Sequence, residues 1–155
     1  MQTEELKKSL SASLSSAECK ERDPDSSGLH LEVALEPRHI RTLIRHFQEA
    51  GFYLETITAA DFPEHFELYY IVCQIQPLLR VMARTRLSKD AKAVSIAGIY
   101  QGAAWMEREV YDFYGIEFLG HPDLKRILLP DDATIFPLRK DFGKTKATQV
   151  IDELL

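Results

Sequence analysis

Apolar residues recur along this chain with two different periods, and the switches between those periods mark out its elements. Leu6, Leu10 and Leu14 fall at i, i+4 and i+8, which predicts a helix within residues 1–17. That stretch is otherwise rich in Ser and Lys, so the helix is expected either to fray or to dock on a partner. Residues 19–28 combine charge with Asp-Pro-Asp-Ser-Ser-Gly and read as a linker. Residues 1–27 are therefore set apart as an N-terminal helix and linker, and the folded domain is expected over residues 28–120.

Leu29, Leu31, Val33 and Leu35 alternate with His30, Glu32 and Ala34, the period of a half-buried strand. The period then lengthens: Pro37 suits the first position of a helix, Ile40, Leu43, Ile44 and Phe47 make one apolar stripe, and Gly51 supplies a stop. Three strands follow at residues 53–60, 66–76 and 78–87, separated by Asp61-Phe62-Pro63 and by Pro77. Connections this short make an antiparallel meander, because parallel neighbours need a long crossover. In the last strand Leu79, Val81, Ala83 and Leu87 share one face, and Arg80, Met82, Arg84 and Arg86 share the other. The arginines read as an exposed sheet face in preference to a binding site. Ser95 is placed to cap a short turn before Gly98 and Gly102.

A further helix runs through Trp105 to Tyr114, with Met106, Val110 and Phe113 on one face and Gly115 as its stop. Arg108 and Asp112 stand one turn apart and are expected to pair, either on a solvated face or in a partly buried cluster with Glu107 and Glu109. Ile116-Glu117-Phe118 reads as a short strand and Gly120-His121-Pro122-Asp123 as a turn. Residues 121–155 form an extended C-terminal segment in which Pro137-Leu138-Arg139-Lys140-Asp141-Phe142 cannot build a core and must lie on something, naturally a charged patch of a partner. Helix, strand, helix, three strands, helix and tail describe an α+β domain, a mostly antiparallel sheet with helices packed on one face.

Composition narrows the function. At 155 residues, with 45% hydrophobic and 28% charged, the chain is one ordinary globular domain plus tails. A net charge of −5 argues against a nucleic-acid binder. No apolar run is long enough to insert in a membrane, and Glu4 and Glu5 stand where a signal peptide is basic, so the chain is expected in the cytosol or its equivalent. Cys19 and Cys73 lack any C-x-x-C spacing and are too few to hold an iron–sulfur cluster.

Catalytic chemistry is hard to assemble from these residues. Glu107, Glu109 and Asp112 with His121 make the strongest candidate metal or acid–base set. On a helix, however, Glu107 and Glu109 point roughly 200° apart and cannot converge on one ion. His39 and His46 read as boundary histidines rather than a metal pair. No G-x-G-x-x-G, Walker or nucleophile-elbow sequence is present.

The spelling of residues 107–142 points elsewhere. Glu107-Arg108-Glu109, Asp112, Gly115, His121-Pro122-Asp123-Leu124, Arg126-Ile127-Leu128 and Pro137-Leu138-Arg139-Lys140-Asp141-Phe142 resemble the C subunit of respiratory complex I. This is the thirty-kilodalton subunit of NADH:quinone oxidoreductase. The resemblance implies a structural subunit without cofactor, catalytic or metal residues of its own. It also implies packing against the quinone-site D subunit and alignment of the cluster-bearing subunits of the peripheral arm, on the cytoplasmic side of the membrane. FMN, iron–sulfur clusters and quinone would then belong to the rest of the complex. The spelling departs from the family where Ala133, Ile135-Phe136 and Gly143 replace an aromatic, Gly-His and a proline. That leaves room for the equivalent subunit of a membrane-bound energy-converting [NiFe] hydrogenase or another complex I-like oxidoreductase. A free-standing small enzyme with a Glu/His site is a weaker third reading.

Overall fold

Alternation in the sequence becomes the two faces of one sheet. The computed structural model describes residues 3–143. Its strands β1 (Glu18–Glu21), β2 (Leu31–Ala34), β3 (Tyr53–Asp61), β4 (His65–Gln74) and β5 (Leu79–Ser88) lie in the order β1-β2-β5-β4-β3. The β3–β4–β5 meander is antiparallel as expected, with Tyr70 opposite Ala83 and Leu68 opposite Thr85. Strand β2 joins β5 in parallel, Leu31 opposite Val81, and the crossover between them carries α3 (Ile40–Glu49) as well as β3 and β4. The sheet is therefore mostly antiparallel with one parallel pair.

One face of the sheet buries Leu31, Val33, Ile57, Phe66, Leu68, Tyr70, Val72, Val81 and Ala83. The helices supply the other half of that core. Helix α3 contributes Ile40, Leu43, Ile44 and Phe47, all at most 2% exposed. Helix α1 (Thr3–Ser13) contributes Leu6 and Leu10, both fully buried, and Leu14 follows them in. The core thus reaches back into the segment that the sequence reading set apart from the domain. Three leucines at one helical face bury enough apolar surface to hold an otherwise polar helix, at roughly 1.5–3 kcal/mol each. The linker is also structured, since β1 pairs antiparallel with β2 and a one-turn helix, α2 (Pro24–Ser27), ends at Gly28 in a left-handed conformation (φ 69°).

The opposite face is a ladder of ion pairs, not an open basic surface. Arg22 and Arg84 both reach Glu32, Arg84 and Arg86 reach Glu67, and Arg80 reaches Glu55 at 2.6 Å. Burial works to raise the Glu32 and Glu67 carboxyls, but their neighbours hold both below the ordinary value: Arg22 and Arg84 for Glu32, and Tyr69, Arg86 and Arg84 for Glu67. The acids lie on neighbouring strands, where a strand-by-strand reading of the arginines does not find them. Cys19 and Cys73 stand on β1 and β4, three strand spacings apart, a lateral separation alone of roughly 14 Å and beyond disulfide reach. No helix among the described residues is long and apolar enough to cross a membrane.

Candidate functional site

Helix α4 (Ala103–Tyr114) organises everything after it. It is preceded by the two-residue strand β6 (Ala93–Val94) and followed by β7 (Phe118–Leu119), which pair in parallel. The expected apolar stripe is only partly inward, with Val110 buried and Met106 and Phe113 half-buried. Two of the acids, Glu107 and Asp112, are fully buried instead, while Glu109 faces solvent. Helical geometry separates Glu107 from Glu109 as expected, so these acids do not converge.

Each buried acid has its own task. Glu107 ties α4 to the stretch after β6: its carboxylate accepts from Ser95 Oγ at 2.6 Å and from the Ile96 amide at 2.7 Å. Burial pushes the Glu107 carboxyl above its ordinary value despite those bonds. His121 Nδ1 accepts from the Asp123 amide, which leaves its Nε2–H to donate to the Ala104 carbonyl at 2.9 Å. The ring lies 3.9 Å from Glu107, and it serves to staple the turn after β7 to the start of α4. Pro122 and Asp123 lie outside, where Asp123 pairs with Lys125 at the surface.

Asp112 holds the coil that follows. Its Oδ2 accepts from the amides of Ile127, Leu128 and Leu129 at 3.2, 2.8 and 2.9 Å, and its Oδ1 accepts from Arg126 Nη1 at 2.8 Å. Burial opposes ionisation, but the three amides and the guanidinium win and bring the carboxyl down to about 2. Arg126 in turn donates to the carbonyls of Asp112, Ala133 and Ile135, and its side chain is only 8% exposed. The buried cluster is therefore real, but its arginine is Arg126 and not Arg108. Arg108 is corrected to a different role: it donates to the carbonyls of Lys125 and Arg126 and stacks on the exposed Trp105 ring at 4.9 Å. Asp112 points inward beneath the coil, so an i, i+4 pair across the helix surface is out of its reach.

The late motif closes the arrangement. Arg139 Nε donates to the Tyr114 carbonyl at the C-terminal end of α4, at 2.6 Å, and its guanidinium lies over the Phe136 ring at 4.5 Å. Arg126 uses the same ring at 5.2 Å. Phe136, one of the departures from the family spelling, is thus a platform for both arginines. Gly115 (φ 71°) lies directly beneath, where an added Cβ would stand 2.7 Å from Phe136 and 2.8 Å from Arg139 Nη2. The Leu138 amide reaches the Phe113 carbonyl and the Lys140 amide reaches Asp61 Oδ2. What this segment lies on, through residue 143, includes its own domain, and residues 144–155 fall outside the described residues.

Arg126 and Arg139 turn inward along this coil, whereas four of its large apolar side chains are outward. Leu128, Ile135, Leu138 and Phe142 are 65, 45, 51 and 46% exposed, while Leu124 tucks against the core. No group of three or more His, Cys, Asp or Glu able to hold a metal ion occurs among the described residues. Sequence reasoning named Asp112 and Arg126 as motif residues without pairing them. It placed Ser95 as a cap, and Ser95 Oγ does accept from the Ala97 amide at 3.2 Å, but it missed the Ser95 bond to Glu107 and missed Asp61 and Phe136 as anchors. The available signal was a general physical need: a buried coil end requires acceptors for its amides.

The fold and this site define an α+β domain whose buried charges fix an irregular segment against the end of one helix. The family described as respiratory-chain NADH dehydrogenase, 30 Kd subunit, matches residues 33–148. The chain belongs to that family. It is 33% identical over 135 residues to the C subunit of NADH-quinone oxidoreductase from Mesorhizobium japonicum, covering 83% of this chain and 67% of that protein. It is 41% identical over 97 residues to the NADH-ubiquinone oxidoreductase 30.4 kDa subunit, mitochondrial, of Neurospora crassa, covering 61% of this chain and 34% of that protein. The chain therefore spans about a third to two thirds of these curated relatives. A solved structure of the membrane-bound sulfane sulfur reductase, an archaeal respiratory membrane complex, contains a chain that superposes with a TM-score of 0.82 at 28% identity, over 97% of this chain and 89% of that one.

Proposed function

We propose that this chain is a structural subunit, without cofactor or active site of its own, in the peripheral arm of a complex I-type NADH:quinone oxidoreductase on the cytoplasmic side of the membrane. It packs against the quinone-site D subunit homologue and keeps cluster-bearing subunits in line. The observation that carries this reading is the inverted coil: Asp112 and Arg126 are buried to hold residues 126–135, and Leu128, Ile135, Leu138 and Phe142 are turned outward. Several large apolar side chains exposed on one short rigid segment mark an interaction surface. Pre-organised backbone lowers the ordering cost of association.

The likeness to a chain of the sulfane sulfur reductase complex supports a second reading, the equivalent subunit of a complex I-like enzyme with another donor and acceptor. Affinity purification of the tagged full chain from detergent-solubilised native membranes separates the two. Recovery of the quinone-site subunit together with NADH-binding and cluster-bearing subunits supports complex I. Recovery with subunits lacking an NADH site supports the relative. A monomeric chain, or one bearing its own visible chromophore after dialysis, overturns both.

A further inference from the structure

A second feature of the late motif lies on the other side of Arg139 from the apolar coil. Between the β3–β4 turn and the C-terminal segment is an open pocket of about 450 Å³ whose walls include Phe62, Phe66, Lys89, Arg139 and Lys140. Asp61 in its floor is saturated, one oxygen taken by Lys89 Nζ and the other by the Lys140 amide at 2.8 Å. Arg139 uses Nε on the Tyr114 carbonyl and rests Nη2 against Gly115, and its guanidinium carbon lies 4.5 Å from the Phe136 ring centre and 5.4 Å from that of Phe66. Lys140 Nζ lies over Phe62 at 5.5 Å. Neither Arg139 nor Lys140 has a carboxylate within 4.0 Å among the described residues, whereas Arg80, Arg84, Arg86 and Arg126 are all paired with acids. Asp141 leaves the pocket with one net positive charge, counting Lys89, Arg139 and Lys140 against Asp61 and Asp141. Burial and the neighbouring Arg139 and Lys140 hold the Lys89 amine below its ordinary value, as a crowded positive field should.

From this geometry we infer that the pocket receives an acidic side chain of a neighbouring subunit, gripped by Arg139 and Lys140 against the Phe62 and Phe66 walls. Arg139 and Lys140 are two cations without a carboxylate of their own beside the apolar Phe62 and Phe66 rings, and a single acidic side chain supplies the missing charge while its methylenes pack on those rings. The inference rests on the proposed assembly and specifies one contact within it.

The test is carbodiimide coupling on the intact solubilised complex, which joins a lysine amine to a carboxylate only when the two are in contact. Peptide mass spectrometry should find Lys140 joined to an Asp or Glu of another subunit, and Lys140→Gln should abolish that product. Lys140 contributes only its backbone amide to Asp61, so this variant keeps the segment in place. Its half-life in the complex should shorten roughly tenfold in dilution experiments, the scale for losing one well-placed interfacial charge. Arg139→Gln should act in the same direction, but it also removes the Tyr114 contact, so Lys140→Gln decides. Coupling of Lys140 only to acids of its own chain, Asp152 and Glu153 included, overturns the inference while leaving the assembly intact. No coupling at Lys140, with exposed Lys20 still reactive, also overturns it. A chain that purifies alone removes the assembly and this contact together.

Discussion

Replacing Asp112 by Asn probes the anchor on which the coil depends. The substitution keeps the size of the side chain and leaves one carbonyl oxygen for the amides of Ile127, Leu128 and Leu129. The new amide nitrogen must then face Arg126 Nη1, so donor meets donor at the 2.8 Å contact. Arg126, only 8% exposed, is left without its carboxylate. Breaking a buried pair from one side costs about 3–5 kcal/mol. A domain of this kind has about 5–15 kcal/mol in all. The loss is expected first as local release of residues 126–135, then as a lower urea midpoint. Arg108→Ala is the comparator, since that residue donates only to carbonyls and stacks on exposed Trp105; it should cost about 1 kcal/mol. Amide hydrogen exchange at Leu128 and Leu129, with urea denaturation of the three proteins, gives the answer. Unchanged protection and equal midpoints for Asp112→Asn and the parent would refute the anchoring argument.

Two buried acids of one helix should give opposite pH responses. The Asp112 carboxyl is depressed to about 2 from an ordinary 3.8, so its stabilisation is present above pH 3.8 and lost as pH falls toward 2; Asp112→Asn should flatten that part of an acid-unfolding curve. The Glu107 carboxyl is raised above 4.5, so its contribution is fully present below pH 4.5 and declines as pH rises through the raised value; Glu107→Gln should gain on the parent at pH 8 relative to pH 5, and urea midpoints that move in parallel would contradict this. Gly115→Ala combines a positive φ with a Cβ under 3 Å from Phe136 and Arg139, so it should cost about 1–3 kcal/mol and expose the Arg139–Lys140 bonds to trypsin, whereas unchanged cleavage would show the segment to be free.

Legibility in the sequence followed the range of the forces involved. The stripe of α3 and the alternation of β3, β4 and β5 are local periodicities, and they appear at nearly the expected residues. Strand β1 was hidden because Glu18–Glu21 shows no apolar alternation; its pairing depends on β2 and on the Arg22–Glu32 contact. The acids of α4 misled a surface reading because charge usually marks solvent. Here Glu107 and Asp112 satisfy backbone amides far along the chain, at Ile96 and at residues 127–129. The motif from Glu107 to Phe142 was legible as spelling, and the reason for the spelling became visible only when Arg126, Phe136 and Arg139 were brought around Gly115.

The outward face of the coil can be interrogated in the assembled complex with a photo-crosslinking amino acid at Leu138, which is 51% exposed and contributes only its backbone amide to the fold. Irradiation should join this chain to the quinone-site subunit in high yield, and the same label at exposed Lys20 on β1, the opposite edge of the sheet, should give little. Equal labelling from both positions, or a Leu138 product confined to this chain, would contradict the account.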